Sequence, residues 1–199
     1  MIKRILCLGF LAFALAGCVT MQNPLSQRDV ETFHLASIHV ETDAAATLWW
    51  GDGDRAYARS KGRPETESEE LSKTPEARAF VAKLASAKIS NALEQQLKPV
   101  LAGHRPVKIN INLRRLYIAS AIQRVVVGGG HEMVADIAVV DAKTGAVLLA
   151  HPEFRAAALA GQGIGGTMLD AAFLPDPIDR LVQNFATKYR DWLAPQPTA

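Results

Sequence analysis

Residues 107–113 alternate without a fault. Val107, Ile109, Ile111 and Leu113 fall on one side, and Lys108, Asn110, Asn112 and Arg114 fall on the other. Side chains alternate across a strand with period two, so this segment has one apolar face and one wet face. Such a strand needs neighbours at its edges and a cover on its apolar side. The rest of the chain reads as the supply of both. Residues 33–41 are rich in β-branched and aromatic types, with Ala36, Ile38 and Val40 in alternation, and 122–127 reads as a further strand. Residues 131–141 set Met133, Ala135, Ile137 and Val139 on one face. Asp141-Ala142-Lys143-Thr144-Gly145 is a hairpin turn, opened by Asp and closed by a glycine free to take positive φ, with 146–154 as the return strand. Arg115 breaks the alternation and predicts a bulge.

Two one-sided helices supply the cover. Thr74 caps, Pro75 fits the first helical position, and Glu76 suits the positive dipole end. Ala77, Val81, Leu84, Ala85, Ile89, Ala92 and Leu93 then share one stripe until Pro99 and Gly103 end the helix. Asp176-Pro177 opens a second helix, striped by Ile178, Leu181, Val182, Phe185, Tyr189, Trp192 and Leu193. Residues 43–73 read as a long mixed segment with a short helix near 56–61, and the alanine- and glycine-rich 155–174 supports no assignment. The expected fold is α+β: a two-layer sandwich whose mostly antiparallel sheet of four to five strands carries two helices on one face, in the order β-α-β-β-β-α. It occupies one domain, 33–194, with a tail at 195–199. A domain of about 160 residues can bury an ordinary core.

The first residues have a different character. Lys3 and Arg4 precede an apolar run from Ile5 to Ala16 that ends in small residues. That is the pattern of an export signal, and the run is shorter than the roughly 20 residues a membrane-spanning helix needs. Leu15-Ala16-Gly17-Cys18 resembles the lipobox of bacterial lipoproteins. The resemblance implies cleavage between Gly17 and Cys18, a diacylglyceryl group on the Cys18 thiol, and an acylated amine. Residues 1–17 would then be a lipoprotein signal peptide and 18–32 an acylated, mostly polar tether. Val19 stands where an Asp favours inner-membrane retention, which leans toward the outer membrane, facing the periplasm. The layout as a whole resembles uncharacterised proteobacterial lipoproteins, a domain of unknown function. The features that carry it are the lipobox, Trp50-Gly51-Asp52 after the first strand, and Val127-Gly128-Gly129-Gly130-His131. Two helices on a small sheet also look like envelope accessory lipoproteins.

Charge and cysteine use narrow the function. The chain has 22 Lys+Arg against 20 Asp+Glu. Without Lys3 and Arg4 the balance is 20 against 20, so no cationic surface for nucleic acid is implied. On the lipobox resemblance Cys7 lies in the signal and Cys18 would carry the lipid, which would leave no disulfide, thiolate metal site or cysteine nucleophile.

The motifs that could carry chemistry have ordinary readings. Gly161-Gln162-Gly163-Ile164-Gly165-Gly166 spells G-x-G-x-x-G, but no room remains for a second parallel strand, so it reads as a flexible glycine loop. His131-Glu132-Met133-Val134-Ala135 lacks the second histidine of a zinc helix. His34, His39, His104 and His151 have no ligand spacing, so no metal or cofactor is expected. No G-x-S-x-G is present. Asp52 and Asp54 flank Gly53 as in a turn, or as a carboxylate pair. Trp49 and Trp50, adjacent on an extended segment, point opposite ways. Either both pack in core or loop, or an exposed indole serves a partner or membrane interface. The apolar piece 167–174, with Met168, Leu169 and Phe173, either covers a sheet edge or docks on a partner. The resulting reading is a non-catalytic, lipid-anchored envelope protein. It attaches to the membrane through Cys18 and binds another envelope component. The alternative is a carrier of a lipid or small apolar ligand between helices and sheet.

Overall fold

The computed structural model describes residues 21–126, 129–161 and 163–195. In chain order it contains α1 (Gln27–Glu31), β1 (Phe33–Trp49), α2 (Gly51–Ser60), a 3-10 turn (Glu65–Glu67), α3 (Ser68–Leu71) and α4 (Pro75–Leu97). There follow β2 (Arg105–Tyr117), α5 (Ala121–Val126), β3 (His131–Asp141), β4 (Val147–Ala158), α6 (Gly163–Phe173) and α7 (Pro177–Leu193).

The alternating segment lies inside a four-stranded sheet ordered β1-β2-β3-β4. β1 runs parallel to β2, and the other two pairs are antiparallel. The class is α+β and the sheet is mixed. Val107, Ile109, Ile111 and Leu113 are all buried, as is the α4 stripe apart from the half-buried Leu84. α4 packs on β1, α7 packs on β3 and β4, and the two helices pack on each other. Phe154 meets Phe185 and Tyr189 edge-on at 5.1 and 5.5 Å, a favoured aromatic geometry. The hairpin forms as its residues dictate. The Lys143 and Thr144 amides donate to Asp141 Oδ1, and Gly145 takes φ 76°. The break near Arg115 is a bulge between Leu113 and Arg115.

Four expectations are corrected. Residues 122–127 do not add a strand. β3 already pairs with β2 from Val107 to Tyr117, so no free ladder exists there, and Ala121–Val126 closes as α5 with Ser120 Oγ accepting the Gln123 amide. The order β-α-β-β-β-α therefore covers the strands and the two long helices but omits α1, α2, α3, α5 and α6, and the two long helices are not the only cover. The segment 43–73 is not a loop, since β1 continues to Trp49 and α2 follows. Between Thr42 and Thr47 the ladder slips, which erases the alternation that would have marked the strand. The Arg78 guanidinium, projecting from α4, donates to the Ala44 and Ala46 carbonyls at 3.2 and 2.7 Å, satisfying backbone that the slip leaves unpaired. Finally, the glycine run is helical from Gly163 onward. α6 begins at Gly163, φ 68°, and contains Gly165 and Gly166, which a helix tolerates at a cost in backbone entropy.

Candidate functional site

Trp49 and Trp50 end β1 with opposite fates. Trp50 is 6% exposed and Trp49 is 57% exposed. Period two sends one indole inward and the next outward. The Trp50 ring lies on the first turn of α2, where a Cβ on Gly53 would fall 2.8 Å from the ring. Gly53 therefore opens a helix against an indole and is not a turn residue. Nothing in the linear Asp-Gly-Asp pattern distinguishes those two uses. Trp50 Nε1 has no hydrogen-bond partner among the described residues.

Trp49 and Arg55 stand between two surface clefts. One, of about 780 Å³, is lined by Leu48, Asp54, Lys73 and Arg78 among others. The other, of about 410 Å³, is lined by Asp52, Ser120, Arg124, Asp176 and Arg180 among others. Asp52 pairs with Arg55 and is exposed. Burial pushes the Asp54 carboxyl above its usual range, partly opposed by the Arg55 charge. No histidine lines either cleft among the described residues; the first holds Ser68 and Ser72 with Asp54, Glu69 and Lys73, and the second Ser120 with Asp52 and Asp176.

Beyond the second cleft the surface turns apolar. Met168 and Ile164 sit one turn apart on α6, 67% and 68% exposed. Leu159, Val126 and Leu174 are exposed beside them in sequence or on the packed α5. The structure therefore brings Trp49 and Met168 to the same end of the sheet, where isolated apolar side chains become a candidate contact surface. Leu169 and Phe173 belong to α6, but their side chains lie outside the described ones, as do Gly17 and Cys18 altogether.

The remaining motifs resolve locally. His131 is buried at the start of β3, and its Nδ1 accepts the Ala119 amide at 3.2 Å. Among the described residues no group of three or more His, Cys, Asp and Glu side chains is placed to hold a metal ion. The glycine motif follows β4 and opens α6, but no strand follows it among the described residues, so the parallel pair of a dinucleotide site is missing. No described helix is long and apolar enough to cross a membrane. The space between helices and sheet, where a carried ligand would sit, is filled by side chains such as Leu113, Phe185 and Tyr189.

The model of a family of unknown function (DUF6778) matches residues 81–197, from within α4 to beyond α7. No curated protein matches the sequence. Among solved structures, a presumed lipoprotein of Caulobacter crescentus CB15 is 18% identical over 55% of this chain and 80% of its own, with a TM-score of 0.34.

Proposed function

We propose that this chain, which belongs to the DUF6778 family, is a lipid-anchored envelope protein facing the periplasm that binds another envelope component and catalyses nothing. The observation that carries the reading is Leu15-Ala16-Gly17-Cys18 directly behind a cationic start and an apolar run. Each lipid methylene buried contributes about 0.8 kcal/mol, and two chains already hold a protein stably on a bilayer. A formally neutral domain then stays at the membrane without needing charge.

The exposed Trp49 and Met168 supply the binding end. Indole and thioether side chains are the types enriched at protein contacts. The clefts beside them carry no Ser–His pair among the described residues. The filled interior gives the carrier alternative no support.

Cell fractionation with labelled fatty acid tests the anchor. Wild type is expected in the outer-membrane fraction with the label, and Cys18→Ala without label and released from it. A wild-type protein that washes out of cells unlabelled would refute the proposal.

A further inference from the structure

Residues 21–32 do not leave the domain as a free tether. The Trp192 indole N–H donates to the Met21 carbonyl at 2.6 Å. Asn23 Nδ2 donates to the Leu193 carbonyl at 2.9 Å, while its Oδ1 accepts the Leu25 amide. Leu25 packs against the core. Ser26 and Asp29 form a capping box at the start of α1, and Val30 is buried. The chain is thus tied down from Met21 onward. Three Cα–Cα steps separate Cys18 from Met21, and they span at most about 11 Å.

The Trp49 end lies well beyond that reach. α7 ends at Leu193, near Met21, and begins at Pro177, which lines the cleft beside Trp49. Its 17 residues put about 25 Å between the two ends. The broad faces give no reason to lie flat. The open side of the sheet shows Lys108 and Asn110, and α4 shows Lys83, Asn91 and Glu94, which is polar and mixed in sign. At the α7 C-terminus the half-buried Trp192 stacks on Tyr189 at 5.8 Å and meets His151 edge-on at 4.6 Å, beside the exposed Met21. An indole held with one side open is the side chain most at home at headgroup level.

Resting on the lipid anchor proposed above, we infer that the domain docks its α7 C-terminal end, with Met21 and Trp192, on the surface of the bilayer that holds Cys18. The Trp49 and Met168 end is thereby held away from that bilayer. Its partner is met in the space beyond the anchoring membrane and not within it.

The three tryptophans allow a direct test. Protein purified from membranes is reconstituted into phosphatidylethanolamine–phosphatidylglycerol vesicles containing lipids brominated near the headgroup, which quench nearby indoles. Trp49→Phe retains Trp192 as reporter, and Trp192→Phe retains Trp49; the buried Trp50 is common to both. Trp49→Phe and wild type are expected to lose emission, and Trp192→Phe to keep it. Loss in Trp192→Phe, or loss in neither variant, overturns the orientation. Intact mass of the same preparation separates the two levels. Missing acyl mass refutes the anchor, whereas full acyl mass with unquenched Trp192 refutes only the docking.

Discussion

Where β1 begins, Gly103 lies so close to the chain that a Cβ would fall 2.3 Å from the Thr32 carbonyl oxygen and 2.4 Å from that of Glu31. Leu97 and Leu101 are sealed beneath it, and Arg105 pairs with Asp141 at 2.9 Å. Where β1 ends, Trp49, Val126, Leu159, Ile164 and Met168 face outward, and the one indole that turns inward leaves its N–H unpartnered among the described residues. The same four strands run between these ends. The first end has spent most of its apolar surface on the domain itself, apart from Met21, Val147 and the open side of Trp192, and the other keeps a larger share exposed. The contrast teaches that tight packing and exposed apolar surface are largely segregated along the strand axis, so the stability of the one end and the partner contact proposed for the other can be altered separately.

That separation can be broken most severely at the closed end. Leu101→Ala empties a sealed site and should cost about 2–5 kcal/mol in denaturant unfolding. Gly103→Ala forces the α1–β1 junction away from the turn and should cost about 1–3 kcal/mol. A full-strength fold in either variant would mean that this end is looser than its contacts imply.

Two carboxyl groups sharpen the comparison with opposite signs. Asp141 is held down to about 2 by the Thr144 amide, the Arg105 guanidinium and the Lys143 amide. A depressed folded value stabilises above the ordinary carboxylate range, and that contribution disappears as pH falls toward 2. Asp141→Asn should therefore melt lower than wild type at neutral pH, with the gap closing on acidification. Asp54, at the open end, is raised by burial, so its ionisation opposes folding as pH rises. Asp54→Asn should melt at or above wild type at neutral pH and converge with it in acid. Thermal melts across pH 2–7 read both.

The smallest effect on stability belongs to the open end. Trp49→Ala with Met168→Ser removes exposed groups only and should shift unfolding by no more than about 0.5 kcal/mol. In-cell cross-linking should nonetheless lose the specific partner that wild type captures. Retained capture would move the binding surface elsewhere.

Much of this was legible in the residues. β3 has the predicted bounds, and α4 and α7 start at the predicted prolines, because capping, proline geometry and a one-sided stripe act within a few residues of themselves. The misses share a cause. β1 beyond residue 41 hides behind a slipped ladder repaired by Arg78, a partner more than 30 positions away. Val125 and Val126 carry strand-forming side chains, yet β3 has taken the edge they would need. At the site, the opposed tryptophans follow from pleating, but which one is buried depends on Gly53 leaving room for the Trp50 ring against α2.

By itself the sequence determined what is decided within a turn or two of chain: the alternation of β2, the hairpin at Asp141 and the two long helices. Only the tertiary structure decided which edges of the sheet were already occupied, that residues 21–32 fold back onto α7, and that Trp49 and Met168 come to the same end. Those outcomes depend on competition among distant segments for the same hydrogen-bonding edges and the same buried volume, and no local pattern records who wins it.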